Sequence, residues 1–120
     1  STMPIAPLVA PARAAPAAGP QELHRQTVQE GVNFLKSTQA EEGFWTSPNA
    51  LGITALCVTS LLESGVPADD PVVAQALDYL KKYVQKDGGI YPPDSKHKNY
   101  ETAIALLAFN AAAISFFHCI

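Results

Sequence analysis

The pattern of apolar and polar residues predicts four helices of two alternating kinds. Over residues 21–39, Val28, Val32 and Leu35 recur at spacings of four and three between polar side chains, which is typical of an amphipathic helix with one buried stripe. A second stretch with this pattern covers residues 71–86. Its apolar stripe comprises Val73, Ala76, Leu77, Leu80 and Val84. We predict that both amphipathic helices bury one side only.

The stretches 50–64 and 99–114 are instead apolar nearly all round. A helix without a polar face has to be covered on several sides, so the simplest packing makes these two helices an inner layer and the amphipathic helices an outer layer. Two helix pairs cannot cover them, because a repeat array generally needs at least about three units. We therefore expect one apolar side of each inner helix to face water. We interpret the chain as a fragment of a longer protein, with residues 114–120 as a tail of unassigned role.

The boundary between the second and third helices carries the clearest local signals. Gly65 can adopt the left-handed conformation that ends a helix. Asp70 can accept hydrogen bonds from the free N–H groups of the next helix, and Pro71 suits its first position. We predict one helix that ends just before Gly65 and another that begins at Pro71.

The two halves of the chain match each other. Gly43 aligns with Gly88, 45 residues further on, and Thr54 aligns with Thr102, 48 residues further on. Each half is a helix, a glycine-containing loop and a second helix, and a period of this size indicates a repeat architecture. The resulting divisions are a linker or signal-peptide remnant at 1–20 and a repeat domain at 21–120, with repeats at about 21–65 and about 66–114.

A motif recurs within each repeat: a small, an aromatic and an aliphatic residue on the outer helix, then a glutamine, then a glycine. In the first repeat, where a tryptophan follows, these residues are Gly31, Phe34, Leu35, Gln39, Gly43 and Trp45. In the second they are Ala76, Tyr79, Leu80, Gln85 and Gly88, with Ile90 in place of the tryptophan. The motif resembles the QW repeat of the prenyltransferase and squalene-oxidase-repeat superfamily, which includes squalene–hopene and oxidosqualene cyclases and protein prenyltransferase β subunits.

This resemblance implies an all-α fold of the α/α-toroid type, in which inner and outer helices alternate around a central cavity. The chain would supply about two repeats and four helices of such a ring, which would be incomplete. The resemblance also implies that the motif residues are structural, with the glutamine capping a neighbouring helix and the tryptophan stacking against it. Physically, Gly43 allows a backbone angle that other residues rarely adopt, and Trp45 buries a large ring over the joint.

In the resembled families, catalytic groups lie where the inner helices begin. The cyclase motif is Asp-x-Asp-Asp-Thr-Ala, whose middle aspartic acid protonates an alkene or epoxide. Aligning its threonine with Thr102 places Tyr100 at the proton donor and leaves Glu101 as the only acid. Tyr100 and Glu101 are therefore the catalytic candidates, although the acid motif itself is missing.

The protein prenyltransferases of this superfamily bind zinc through an Asp, a Cys and a His. Glu101 takes the place of that histidine, and the first repeat offers no partner ligands, since Cys57 lies about a turn too far into its helix. A catalytic zinc site needs about three protein ligands. We therefore expect neither a metal site nor a cofactor.

The stretch PPDSKHKNYE, residues 92–101, is the most promising place for ligand binding. It is polar and leads into a helix N-terminus, whose free N–H groups favour anions. The binding candidates are Lys96, Lys98 and Asn99, together with Thr54 and Thr102 at the starts of the two inner helices. The alternative is that the lysines are simply solvated.

Composition narrows the partners and the compartment. A net charge of −3 and a pI near 5.5 provide no basic surface for nucleic acid. The apolar stretches 103–109 and 111–114 are separated by Asn110 and are shorter than the ~20 residues of a membrane span, so we expect no transmembrane helix. Residues 1–14 combine an apolar run with Ala-Arg-Ala, so they are either the remnant of an export signal, which would make the protein periplasmic or secreted, or a linker.

Three hypotheses about function remain open. The first is a partial toroid that serves as a scaffold or as the wall of a cavity for an isoprenoid or other apolar ligand, without a complete active site. The second is a fragment of an enzyme, a terpene cyclase or mutase or a prenyltransferase, acting on isoprenoid substrates. The third is a helical interaction module that self-associates or binds partner helices through its exposed inner helices.

Overall fold

The computed structural model describes residues 19–118. Its helices are α1 (Pro20–Thr38), α2 (Leu51–Glu63), α3 (Pro71–Lys81) and α4 (Lys98–His118). Within these residues the only β-type pairing is an isolated antiparallel bridge between Val84 and Ile90. The predicted all-α class is confirmed. Of the Ala/Pro-rich segment 1–20, residues 1–18 lie outside the described part of the chain. Its interpretation as a linker or as a signal-peptide remnant therefore concerns residues that the structure does not describe.

The helices form the two layers that their apolar patterns predict. The inner helix α2 packs most extensively against the other inner helix, α4, and next against the outer helix α3. The large side chains at the centre of this packing are fully buried, and they are Leu51, Val58, Leu61, Val73 and Leu80. The chain therefore forms two adjacent helical hairpins of the α/α-toroid type.

The contact between the inner helices is close because α4 presents small side chains to α2. Ala105, Ala108 and Ala112 are buried and lie on one face of α4, at spacings of three and four. Without bulky side chains at these positions the two helix backbones can approach each other closely. The remaining faces of α4 stay largely uncovered.

The boundary between α2 and α3 has the predicted geometry. Gly65 has a φ of 97°, and the N–H of Val66 donates to the carbonyl of Leu61 at 3.0 Å. A carboxylate oxygen of Asp70 accepts a hydrogen bond from the N–H of Val72 at 3.0 Å, with Pro71 at the first helical position. The predicted helix end and helix start are both confirmed.

The two loops have the same backbone hydrogen bonds, 45 residues apart. The N–H of Ala40 donates to the carbonyl of Phe44 at 2.8 Å, and the N–H of Gln85 donates to that of Gly89 at 2.8 Å. Gln85 therefore takes the position of Ala40, and it lies one residue away from the position that corresponds to Gln39. This is the register that the 45-residue shift between Gly43 and Gly88 predicts.

Two residues of the predicted buried stripes are exposed. Val84 is exposed because α3 ends at Lys81 rather than near residue 86, so that Val84 lies in the bridge to Ile90. Val28 is exposed because only a small part of α1 packs against α2. The outer helix of the first repeat is therefore much less covered than that of the second.

Helix α4 is longer than the pattern predicts. It continues beyond residue 114 to His118, since no glycine or proline interrupts it. Its stretch Lys98–Phe117 has a mean hydropathy of 1.4 and is 22% buried, so by length and composition it could cross a membrane. The argument that the apolar stretches of this helix are too short to span a membrane is therefore wrong. A long inner helix of a helical array has the same composition, and the absence of a transmembrane helix stays a prediction.

Candidate functional site

Trp45 lies at the joint between the first loop and its two helices. Its ring is buried, and its Nε1–H donates to the carbonyl of Leu35 at 2.9 Å. Its backbone N–H donates to Oγ1 of Thr54 at 3.0 Å. These bonds tie the end of α1 to the start of α2, so the contacts of Trp45 are those of a structural residue.

Gln39 connects the first loop to the next outer helix. Its side-chain amide donates to the carbonyl of Gly43 at 3.1 Å and to that of Val72, in the first turn of α3, at 2.9 Å. Asp70, and not Gln39, caps α3, by accepting a hydrogen bond from the N–H of Val72. The amide of Gln85 stays within its own repeat, where it donates to the carbonyls of Tyr83 and Tyr91 at 3.1 and 2.6 Å.

The two threonines among the binding candidates hold the loops. Thr54 is fully buried, with its hydroxyl accepting the bond from Trp45. Thr102, half-buried, has the same role in the second repeat, because its Oγ1 accepts a hydrogen bond from the N–H of Ile90 at 3.0 Å. In this structure both hydroxyls are therefore engaged by backbone groups.

The two catalytic candidates differ in their surroundings. Tyr100 is 56% exposed, and its ring lies against Gly52, where an added Cβ would come within 2.9 Å of Cε2. Glu101 is 9% exposed and accepts a hydrogen bond from the hydroxyl of Ser95. Together with Asn49 and other loop residues it lines a cleft of about 360 Å³. The Ser95 hydroxyl already occupies one oxygen of the carboxylate that lines this cleft.

The lysine candidates lie at the start of α4. The side chains of Lys96, Lys98, Asn99 and Tyr100 are exposed and line one shallow cleft of about 350 Å³. The ammonium group of Lys98 lies 5.0 Å from the ring centroid of Tyr91, a cation–π distance. Lys98 is therefore already held by an aromatic partner.

Tyr91 in turn binds Asp87, a pair that the sequence does not reveal. The hydroxyl of Tyr91 donates to Oδ2 of Asp87 at 2.5 Å, and the N–H of Gly89 donates to Oδ1 at 2.8 Å. The bond from Tyr91 holds the pKa of Asp87 below its usual value, and the same bond raises the pKa of Tyr91. Asp87, Tyr91 and Lys98 thus stabilise the second loop against α4.

Metal binding has no support in the described residues. Between positions 19 and 118, no three His, Cys, Asp or Glu side chains lie close enough together to hold one ion. Burial raises the pKa of the Cys57 thiol, which disfavours the thiolate that a metal would need. The expectation that the protein uses no cofactor stays a prediction.

An uncovered apolar face runs along the inner helices. Tyr100, Leu107 and Ile114 recur every seven residues, so they lie on one side of α4, and all three are exposed. Leu56 of α2 is also exposed, and in the repeat register it corresponds to Ile104, which lies between Tyr100 and Leu107. We call Leu56, Tyr100, Leu107 and Ile114 the inner face. Their exposure agrees with the expectation that one apolar side of each inner helix faces water, although the sequence does not show which side it is.

Comparison with known proteins identifies relatives of one kind. The chain is similar to the squalene–hopene cyclase of Zymomonas mobilis subsp. mobilis, with 32% identity over 79 residues, which are 66% of this chain and 12% of that protein. The squalene–hopene cyclase of Schizosaccharomyces japonicus is 31% identical over 75 residues, 62% of this chain and 11% of its own length. That of Bradyrhizobium diazoefficiens is 34% identical over 67 residues, 52% of this chain and 10% of its own length.

The chain therefore spans only about a tenth of the length of these curated relatives. No family model matches it, and no solved structure matches it significantly. What is established is an all-α segment that is similar to part of the squalene–hopene cyclases. This similarity supports the predicted resemblance to squalene cyclases. It gives no support to the predicted resemblance to protein prenyltransferases.

Proposed function

We propose that this chain is a segment of a terpene-cyclase-like helical array and that its inner face forms part of the wall of an isoprenoid-binding site. The observation that carries the proposal is the similarity to squalene–hopene cyclases, whose name specifies a long apolar substrate. The inner face supplies a surface of matching chemistry. In this proposal the segment contributes binding surface, and any acid that starts a cyclisation is contributed from elsewhere.

The exposure of the inner face gives the proposal a physical basis. The side chains of Leu107 and Tyr100 are 57% and 56% exposed, although both are large and mostly apolar. Burying one large apolar side chain is worth roughly 1.5–3 kcal/mol. An apolar ligand lying along α4 would recover part of this free energy at each position that it covers. The Tyr100 hydroxyl and the polar loop at the start of α4 would remain at the end of such a site.

The experiment compares two neighbouring leucines. Leu106 and Leu107 are both 57% exposed, but they lie about 100° apart on the helix, and only Leu107 belongs to the inner face. We expect farnesol, an isoprenoid alcohol, to shift the methyl NMR signals of Leu56, Leu107 and Ile114. Leu107→Glu should weaken this binding at least about tenfold, whereas Leu106→Glu should change it less than about twofold. Equal effects of the two substitutions, or no binding at all, would contradict the proposal.

The enzyme hypothesis makes a different prediction. If Tyr100 and Glu101 supplied the catalytic proton, the 120 residues alone would convert squalene into cyclic products, and Glu101→Gln would abolish the conversion. We expect no turnover of squalene or of prenyl diphosphates, with or without zinc. Product formation detected by gas chromatography would show that the segment is catalytically active and does not only contribute binding surface.

A further inference from the structure

The two inner helices carry side chains of very different size at one repeat position. Gly52 and Tyr100 are 48 residues apart, which is the shift that aligns Thr54 with Thr102. They also contact each other, because the three atoms nearest to a Cβ added at Gly52 all belong to Tyr100. These atoms are Cε2 at 2.9 Å, and Cζ and the hydroxyl oxygen at 3.7 Å. The far edge of the Tyr100 ring therefore lies across the first turn of α2.

The glycine is what allows the ring to lie there. A Cβ at position 52 would come closer to the ring than the 3.0 Å that real Cβ atoms respect, so the ring would have to move away. Both residues lie inside the segment, between its two repeats, and further repeats before or after it would leave this contact in place. Gly52 is thus a positioning residue for Tyr100.

The Tyr100 ring closes one end of the inner face. Leu56 lies about one turn after Gly52 on α2, and Leu107 lies about two turns after Tyr100 on α4. Leu56 and Leu107 are therefore on the same sides of their helices as the two residues in contact. An apolar chain that lay along Leu56 and Leu107 would meet the hydroxyl edge of the ring at the start of the inner helices.

Beyond the ring the surface becomes polar. Tyr100 borders the shallow cleft of about 350 Å³, whose other lining residues are all polar, namely Ser95, Lys96, His97, Lys98 and Asn99. The hydroxyls of Tyr79 and Tyr91 have hydrogen-bond partners in the protein. That of Tyr100 has none among residues 19–118. A ligand on the inner face would therefore find an available hydrogen-bonding group at this boundary.

We propose that Tyr100 forms the polar end of the isoprenoid-binding site and that the site takes an isoprenoid alcohol. The alcohol oxygen would pair with the Tyr100 hydroxyl, and the chain would lie along Leu56 and Leu107. This inference rests on the proposed function, because it concerns the same inner face. A hydrocarbon in this position would displace water from the hydroxyl without replacing its hydrogen bond, and that lowers affinity.

Charge at this end of the site favours a neutral head group over an anionic one. Lys98, one of the two lysines of the cleft, already lies over the ring of Tyr91. The carboxyl groups of Asp94 and Glu101 line the adjoining cleft, which shares residues 95–97 with the first. Carboxylates repel a phosphate or diphosphate, whereas a hydroxyl carries no charge to repel.

Titration with farnesol and with farnesene, a hydrocarbon of the same chain length, tests the proposal through the methyl NMR signals of Leu56 and Leu107. We expect farnesol to bind about fivefold more tightly, which is the effect of one hydrogen bond. Tyr100→Phe keeps the ring and removes the hydroxyl, so this preference should fall below about twofold without weaker binding of farnesene. Tyr83→Phe, the same chemical change outside the inner face, should leave the preference at about fivefold.

Gly52→Ala tests the positioning of the ring. The added carbon has to displace the ring edge, which is the far end of a flexible side chain, so the preference for farnesol should again fall below about twofold. Alanine is a better helix former than glycine, and the free energy of unfolding should therefore not decrease. A loss of preference without a loss of stability is not expected from a merely structural glycine. An unchanged preference would show that the position of the ring does not depend on Gly52.

The outcomes separate this inference from the proposed function. Equal binding of farnesol and farnesene would overturn the inference and leave the inner face as an isoprenoid site. A preference that Tyr100→Phe leaves unchanged would overturn it too, and so would farnesyl diphosphate that binds more than about tenfold tighter than farnesol even to this variant, since the lysines would then hold the head group. Binding of neither farnesol nor farnesene would contradict the proposed function, and this inference with it.

Discussion

Gly43 is the position at which one added carbon should have the largest effect on the fold. Its φ is 112°, a conformation that side chains with a Cβ rarely adopt. Gly88 is a natural control, because it occupies the same position in the second loop with a φ of 92°. The two glycines differ in their neighbours. A Cβ at Gly43 would lie 2.7 Å from the backbone oxygen of Gln75, whereas one at Gly88 would lie in open space.

The expected magnitudes follow from this difference. A strained backbone angle costs about 1–3 kcal/mol, and both Gly43→Ala and Gly88→Ala incur that cost. Only Gly43→Ala also has to displace the backbone of α3, and overpacking of this kind costs typically about 1–3 kcal/mol more. We expect a loss of about 4 kcal/mol for Gly43→Ala and about 2 kcal/mol for Gly88→Ala in the free energy of unfolding.

Urea unfolding followed by circular dichroism at 222 nm measures both losses directly. The protein has to be dilute, so that association between copies does not add to the apparent stability. Equal losses for the two variants would refute the reasoning, since they would show that α3 moves away from the first loop without cost. A loss at Gly88 that exceeds the loss at Gly43 would refute it as well.

Three further predictions concern single side chains. Thr54→Val should cost about 1–3 kcal/mol in urea unfolding, because it leaves the buried N–H of Trp45 unpaired; Thr102→Val, at a half-buried site, should cost less. Asp70→Ala should cost about 1 kcal/mol through loss of the helix cap, and Asp70→Asn should retain the cap. The bond with Lys36 at 2.9 Å holds the pKa of Asp70 below its usual 3.8, so the stabilising effect of the charge is complete above pH 3.8 and is lost as the pH falls through the lowered pKa. The stability deficit of Asp70→Asn should therefore disappear in acid. Burial raises the pKa of Tyr79, so Tyr79→Phe should remove a tyrosine that ionises above the usual pKa of about 10 in an alkaline absorbance titration.

Much of the fold follows from local chemistry in the sequence. Gly65, Asp70 and Pro71 define a helix boundary because each acts through its own backbone angle or its own hydrogen bond. The repeat is recognisable in the sequence because Gly43 and Gly88 each supply the positive φ angle that their loop adopts. These features depend on neighbours within a few residues, and the alignment captures them.

Other features depended on contacts that no local pattern encodes. Val84 continues the apolar spacing of α3, yet the helix ends at Lys81 and leaves it exposed. The bond between Ser95 and Glu101 joins a loop to a helix, so helical periodicity does not predict it. The motif groups Gln85 with Gln39 by residue type, but only the structure shows that Gln39 bonds to the next outer helix whereas Gln85 bonds within its own repeat.

The adjacent residues Leu106 and Leu107 show how far an apolar pattern can be interpreted. They are identical in type and equally exposed at 57%, so neither composition nor burial distinguishes them. The repeat register distinguishes them. At the shift of 48 residues that aligns Thr54 with Thr102, Leu106 corresponds to Val58, which is buried between the two repeats, and Leu107 corresponds to Thr59, which is only half-buried. An inner helix that is apolar all round therefore has separate faces for its outer helix, for the next repeat and for the concave side. If Leu106→Glu weakened ligand binding as much as Leu107→Glu, this division into faces would be wrong.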